Sequence, residues 1–338
     1  MITEKPYIIV TSINKPNKIM RQIGEQANQK GYSFVVVGDK KSPDDFFLDN
    51  CFFLSLHDQL NLDFSFSKSV PVNHYSRKNI GYLYAFKNRA TIISETDDDN
   101  YPYQTFFTQR ERNLQCIAIE KNDWTNIYRY FYDSIIWPRG YPLDLINKEI
   151  SSLDNFPEQN VDCPIQQDLA DGNPDVDAIY RLLYQKKDIK FDRNLKIALG
   201  RGSWCPFNSQ NTHWWPDAYL LLYLPSYCSF RMTDIWRSFV AQRIAWENNW
   251  HILFNEASVF QDRKEHDLMK DFESEAPGYI NNRKLCKELV DIVLVSGKKN
   301  VPDNLIKCYE KLIDLNLVGR AELPLLELWI EDAIALLY

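Results

Sequence analysis

Between residues 7 and 37 an apolar run, a helical pattern and a second apolar run follow one another, and a chain that starts this way is set up for a wound α/β sheet. The first run is Tyr7-Ile8-Ile9-Val10-Thr11. Ile19, Ile23 and Ala27 then recur at four-residue spacing and predict a helix with Gly31 as its C-cap. Phe34-Val35-Val36-Val37 follows and ends in Gly38-Asp39-Lys40-Lys41. A third unit repeats the theme: Arg77 to Ala90 is helical, with Ile80, Leu83, Tyr84 and Lys87 on one side, and feeds the strand Thr91-Ile92-Ile93-Ser94. That strand runs into Glu95-Thr96-Asp97-Asp98-Asp99-Asn100. Ligands of open α/β sheets sit outside the carboxyl ends of the strands, so Asp39 and the acidic triplet both lie where a ligand is expected.

Composition narrows the function. A chain of 338 residues that is 45% hydrophobic and 14% aromatic can bury one large core or two modest ones, and is too apolar for a disordered tail. Its 46 acidic residues outnumber 39 Lys and Arg, giving a net charge of −7 with no basic block. A broad nucleic-acid footprint is therefore not expected, although a short polyanion such as a nucleotide fits. The longest apolar runs, such as Ala218 to Leu224, fall far short of the roughly 18 residues that span a bilayer. Glu4 and Pro6 precede the first apolar run and no small-residue cleavage site follows it, so the expected location is cytoplasmic, with peripheral membrane association left open. Cysteines 51, 116, 163, 205, 228, 286 and 308 form no C-x-x-C pair and the five histidines no H-x-x-x-H group. Buried thiols suit this pattern better than a disulfide frame or a zinc site, and any metal is expected to be a hard cation on oxygen ligands.

Further along, Pro138 to Asp177 is rich in Pro, Gly, Asp and Asn and reads as long loops folded over a site. Lys196 to Leu199 and Tyr219 to Leu224 read as strands. Thr233 is placed to N-cap a helix whose buried face is Trp236, Val240 and Ile244, with Ile235 and Phe239 beside it. From about Ala276 onward only helical patterns remain. The expected organisation is a catalytic α/β domain over 1–275 and a helical extension over 276–338, the latter a docking surface for a partner enzyme or a second copy.

Three consecutive aspartates at a strand end repel one another unless a cation or hydrogen-bond donors compensate them. On an extended segment Asp97 and Asp99 project to one side, where they can hold a divalent ion, and Asp98 faces the other way. The bland alternative is an acidic turn or a helix cap with Asn100. A haloacid-dehalogenase-like phosphatase also places D-x-D at a strand end, but needs Thr two residues after the second Asp, where this chain has Tyr101.

The run RKNIGYLYAFKNRATIISETDDDN (Arg77 to Asn100) resembles the nucleotide-sugar-binding core of the STELLO-type glycosyltransferases, and more distantly the plant reversibly glycosylated polypeptides, which are UDP-arabinopyranose mutases. VVVGDKKSP (from Val35), RGYPLDLI (from Arg139), NPDVDAIYRL (from Asn173), PFNSQNT (from Pro206) and YLPSYCSFRMTDIWRSFVAQRIAW (from Tyr223) fall in matching order. The resemblance covers roughly residues 5 to 265. It implies a GT-A-like, Rossmann-related mixed but mostly parallel sheet flanked by helices, a UDP-sugar donor, a saccharide or glycoconjugate acceptor, and Mn²⁺ or Mg²⁺ held through D-x-D.

Carried across by the resemblance, Asp97 meets the ribose or a metal-bound water, Asp99 ligates the cation and Asp98 counts among the nucleotide-side residues. Thr11 and Asp39 line the uridine pocket, and Arg77 and Asn79 sit near the nucleotide. Arg139 matches the segment in which the plant mutases carry a self-glycosylated arginine, so it is expected at the donor sugar or diphosphate. Breaking an anomeric C–O bond leaves a diphosphate anion to stabilise, and inversion also needs a carboxylate base, for which Asp234 is the candidate at a helix start that favours its ionised form. Asp175 and Asp177 share one side of an extended segment and are expected on sugar hydroxyls, or else as loop caps. Trp204, Trp214 and Trp215 lie in a polar, Gly-containing region where an exposed indole can stack on a sugar, Trp214 being the candidate, with core packing the alternative for at least one of them. Related enzymes often recruit a late histidine as a further metal ligand, so the third ligand is His251, His266 or neither. The leading expectation is a metal-dependent, inverting glycosyltransferase of surface-glycan biosynthesis; a UDP-sugar mutase or self-glycosylating protein, and a non-catalytic nucleotide-sugar-binding subunit, are its competitors.

Overall fold

The computed structural model describes residues 5–337 apart from 185–187, 192 and 263–266. Among these the strands are β1 (Tyr7–Thr11), β2 (Ser33–Val37), β3 (Phe52–Leu54), β4 (Ile93–Thr96), β5 (Asn100–Pro102), β6 (Asn113–Ile119), β7 (Asp123–Trp124), β8 (Glu158–Gly172), β9 (Lys196–Leu199), β10 (Ser203–Trp204), β11 (Asn211–Trp214) and β12 (Trp250–Gln261). The helices are α1 (Lys18–Lys30), α2 (Leu56–Asn61), α3 (Ser65–Ser69), α4 (Lys78–Lys87), α5 (Tyr128–Phe131), α6 (Ala178–Tyr184), α7 (Thr233–Glu247), α8 (Leu268–Val290), α9 (Val301–Asp314) and α10 (Glu322–Leu337).

The wound opening forms as read. β1 pairs parallel with β2 and with β4, and β2 with β3, so these carboxyl ends point the same way. Both faces are covered, which is why the strands carry unbroken apolar runs. Ile8 and Val10 pack with Ile19, Met20, Ile23 and Ala27 of α1, whereas Ile9 packs with Ile80, Leu83 and Phe86 of α4. Gly31 closes α1 at φ 78°, a conformation that costs glycine nothing.

Beyond β4 the sheet departs from the expectation of a mostly parallel arrangement. Ten strands run in the order β3-β2-β1-β4-β11-β8-β6-β9-β12-β5, and half of the ten pairings among them are antiparallel. β11 is antiparallel to both β4 and β8, which reverses the strand direction in mid-sheet. The span expected to be loops contains β8, fifteen residues long. Its central Gln166, Gln167 and Asp168 are buried and matched by Glu111 O, Asn211 O and Arg110, so polar residues here hide a core strand from hydrophobicity patterns. Conversely, Tyr219 to Leu224 is no strand: Pro216–Leu222 forms a 3₁₀ segment that is buried from Ala218 on, and an apolar run buried all round carries no period to read. Thr233 begins α7 from inside the helix and caps nothing through its side chain; Met232 holds the cap position. α7 itself is buried from Thr233 to Trp246.

The expected boundary at 275/276 falls inside α8. The helical tail shares the main core: Trp329 of α10 is fully buried, its ring 5.8 Å from Phe66, 5.6 Å from Phe86 and 5.9 Å from Tyr223, and its indole N–H donates to Leu220 O. Removing so large a buried ring leaves a cavity between α10, α3 and α4. Trp329→Ala is expected to lower unfolding free energy by about 3–5 kcal/mol, read from the urea midpoint; a midpoint within error of the parent would show that the tail packs independently.

Candidate active site

A cavity of about 390 Å³ opens where the carboxyl ends of β1, β2 and β4 meet segments from further along the chain. The strand ends contribute Thr11 to Asn14, Val37 to Asp39, and Asp97 to Asp99. Facing them are Arg139, Asp175, Ser209, Gln210, Phe230, Arg231, Asp234 and Gln261. Six aspartates line it against Lys41, Arg77, Arg139 and Arg231.

All three aspartates of the triplet face the cavity. Alternation fails because Asp98 and Asp99 form a turn between β4 and β5 instead of an extended segment, with Asn100 N bonded to Asp97 O. Asp98 Oδ2 accepts from Ser12 Oγ at 2.5 Å and Asn14 Nδ2 at 2.9 Å, and its carbonyl accepts from Asn17, the residue that caps α1. Asp97 lies beside Tyr75 Oη at 3.0 Å and the fully buried Lys78 Nζ at 3.3 Å. Burial raises its carboxyl above the ordinary range even so, a state in which an arriving cation has most to offer. Asp99 meets Gln261 Nε2 at 3.3 and 3.5 Å. The amide oxygen of Gln261 is buried in the same wall with no hydrogen-bond partner. Carboxylates and an unsatisfied amide oxygen are the hard donors that Mn²⁺ or Mg²⁺ takes. Among the described residues no group of three or more His, Cys, Asp or Glu side chains is arranged to hold a metal alone, so such an ion needs ligand oxygens as well.

On the opposite wall Arg139 is sandwiched between two carboxylates. Its Nε and Nη2 lie 2.8 Å from the two oxygens of Asp175, and Nη1 and Nη2 lie 3.0 and 2.9 Å from those of Asp234. Gly140, at φ 87°, permits this approach, because a Cβ there would come within 2.5 Å of Ile235 on α7. Burial raises the Asp234 carboxyl, but Arg139, aided by Arg237 and the Ser209 N–H, overrides it and brings it down to about 2. Asp234 is thus held ionised, as a base must be, with its basicity reduced.

Other expected site residues serve the frame. Asp39 lines the cavity but accepts the backbone N–H groups of Lys40, Asn73 and His74, fixing the loop before α4. Arg77 contributes to the wall, yet its guanidinium is spent on Gln59 Oε1 and Val70 O. Asn79 clips both backbone groups of Leu224. Asp177 lies outside the cavity lining and caps α6, accepting from Tyr180 N at 2.7 Å and Trp137 Nε1 at 2.6 Å. Trp214 is fully buried and donates to Glu95, so it cannot stack on a sugar; Trp204 is buried too and Trp215 half-buried. His251 pairs with Glu120 away from the cavity, and His266 lies outside the described residues. Of the aromatic rings that line the cavity, His74 and Tyr75 are half-buried and Phe230 is the most open, 58% exposed.

One cluster looks catalytic and is not. Ser94 Oγ lies 2.7 Å from His213 Nδ1 and His213 Nε2 3.3 Å from Asp168 Oδ2, the connectivity of a hydrolase triad. All three residues are buried, and burial pushes His213 down to about 4, leaving a neutral ring that joins β4, β11 and β8.

A family model described as STELLO glycosyltransferases matches residues 231–338. Over 310 residues the chain is 29% identical to the probable glycosyltransferase STELLO2 of Arabidopsis thaliana, covering 85% of this chain and 39% of that protein. It is 29% identical over 266 residues to the probable glycosyltransferase STELLO1 of the same plant, covering 72% of this chain and 34% of that one. The chain is similar to the STELLO glycosyltransferases over most of its length. It spans less than half the length of these two. The segment matching the STELLO model begins at Arg231, so it takes in Asp234 and the tail helices but not the acidic turn. No helix among the described residues is long and apolar enough to cross a membrane.

Asp177 supplies a pH test that separates capping from sugar binding. Burial raises its carboxyl to about 7, opposed by the N–H groups of Tyr180 and Trp137. The folded state therefore binds the proton more tightly than the unfolded chain, and its stability falls as pH rises from about 4 to about 7. Asp177→Asn is expected to flatten that slope, a difference on the order of 4 kcal/mol, with nucleotide binding unchanged. An unchanged slope in Tm against pH would refute the assignment.

Proposed function

We propose that this chain is a glycosyltransferase that binds a UDP-sugar in the cavity at the β1, β2 and β4 ends and transfers the sugar, with inversion, to a saccharide or glycoconjugate acceptor of a glycan-building pathway. The observation that carries the reading is the pairing, across one cavity, of an acidic turn at parallel strand ends with a buried carboxylate held ionised. STELLO kinship supports the reaction class. The uridine belongs at Thr11 and Asp39, where parallel strand ends expose backbone groups. Asp97 and Asp99, with the Gln261 oxygen, would hold Mn²⁺ or Mg²⁺, which supplies electrostatic stabilisation to the departing diphosphate. Lys78, buried beneath Asp97, keeps the turn in place before any ligand arrives. Arg139 keeps Asp234 ionised and oriented, and Asp234 takes the acceptor hydroxyl proton. Asp175, on the other side of Arg139, faces the donor-sugar hydroxyls.

Self-glycosylation at Arg139, as in a mutase-like protein, is the weaker reading. Every nitrogen of that guanidinium is already in a hydrogen bond and its side chain is 6% exposed, so attack by it would break the most connected ion pair of the site. Against a purely nucleotide-binding subunit stands Asp234, a carboxylate that lines the cavity besides bracing Arg139.

Two variants test the proposal. Asp99→Ala is expected to abolish Mn²⁺-dependent UDP binding by calorimetry, and metal-dependent binding that persists would remove the turn from the site. Asp234→Asn is expected to keep UDP-sugar binding while transfer falls by roughly 10²–10⁴-fold; an unimpaired rate would exclude Asp234 as the base.

A further inference from the structure

The loop from Ser226 to Met232 is fastened to α8 and to the start of α10 at five of its seven residues. Glu322, at the start of α10, is fully buried and takes Ser226 N on both carboxylate oxygens at 3.0 Å, Tyr227 N at 2.7 Å and the Tyr223 hydroxyl. Tyr227 O accepts Gly319 N at 2.7 Å. Ser229 Oγ donates to Ser274 O. Arg231 meets Glu275 through Nε at 2.9 Å and Nη2 at 2.7 Å, and Glu275 also takes the N–H of Ala178 at the start of α6. Met232 packs against Gly278 of α8.

Between these anchors Phe230 turns out into the cavity. Its ring is braced edge-on by His74 at 6.3 Å and Tyr75 at 6.1 Å and remains 58% exposed. A flexible loop would fold such a ring inward to bury its apolar face. Here the backbone cannot follow, because its neighbours are held by buried carboxylates. A rigidly presented aromatic face lining a cavity is a preorganised stacking platform. The base of a nucleotide has its place at the β1 and β2 ends; Phe230 opens the segment that leads into α7, four residues before Asp234, and its ring reaches from His74, in the loop that Asp39 holds, to Tyr75, whose hydroxyl meets Ser209 beside Asp234. The ring that arrives there comes from solvent, beside the base that is to deprotonate it.

We infer that Phe230 is the platform for a pyranose ring of the acceptor saccharide, and that Glu322 of α10 and Glu275 of α8 are positioning residues that hold this platform in place. This rests on the glycosyltransferase reading given above. The apolar C–H face of a pyranose would lie on Phe230 while its hydroxyls reach the polar lining, including Asp234. The tail thereby gains a role in recognition besides its share of the core.

The test uses the full chain with methyl α-D-mannopyranoside, methyl β-D-glucopyranoside and methyl β-D-galactopyranoside as probes, followed by saturation-transfer NMR in the presence of UDP and Mn²⁺. At least one glycoside is expected to take saturation from the protein. Phe230→Ala should weaken its binding about 5- to 10-fold, Phe230→Trp should restore it, and the thermal shift caused by UDP should stay unchanged in both. Glu322→Gln is expected to weaken glycoside binding in the same way, with the UDP shift again retained; where that variant does not fold, the Phe230 pair decides. Three results would overturn the inference: no glycoside binds the parent, glycoside binding survives in Phe230→Ala, or that variant loses UDP binding equally, which would assign the ring to the nucleotide. A parent chain that binds glycoside but not UDP would instead refute the donor reading and leave the platform standing.

Discussion

The guanidinium of Arg139, clasped by Asp175 and Asp234, is the interaction on which the site depends. It joins three segments far apart in sequence: the loop after α5, the turn leaving β8 and the first turn of α7. Burying three charges is costly unless every one is paired, and breaking such a cluster by removing one partner leaves an uncompensated charge. The geometry here meets that condition: Arg139 also donates to Arg231 O, Asn208 donates to Asp175 and Ser209 to Asp234. The arrangement fixes where the cavity wall stands and sets the charge of the carboxylate that faces a substrate.

A second buried cluster does the corresponding work beneath the sheet. Glu95 at the end of β4 takes Arg237 of α7, the Tyr82 hydroxyl of α4 and the indole of Trp214. α7 is thus pinned twice, through Asp234 to the cavity and through Arg237 to the central strand that leads into the acidic turn. The two walls of the cavity are held in register by one helix. Lys78 then links the turn to α4 and to Ser209 O, so that the acidic side is not a loose loop awaiting a cation but a braced one.

This bracing explains which residues were legible from sequence. Asp97, Asp99, Asp175, Arg139 and Asp234 belong to segments whose order matched a known family, and the cavity gathers all five. Arg77 and Asn79 lie in an equally good match, yet their side chains turn to Gln59, Val70 and Leu224, because a buried helix start must satisfy its own polar neighbours before it can serve a ligand. Trp214 carried the chemistry of a sugar platform but sits on a strand covered on both sides. Phe230 carried no motif at all, and only its rigid, outward placement marks it.

By itself the sequence determined the β1-α1-β2 start, the helix that leads into β4 and the acidic strand end, since local periodicity and Gly31 act over a few residues and need no distant partner. It also determined the helical tail. What only the tertiary structure decided was the reversal of the sheet at β11, the hidden strand β8, and the meeting of Arg139 with two aspartates 36 and 95 positions further on. Polar residues inside a core strand, and ion pairs formed across the fold, leave no period in a sequence; their energies come from partners that long-range packing alone supplies.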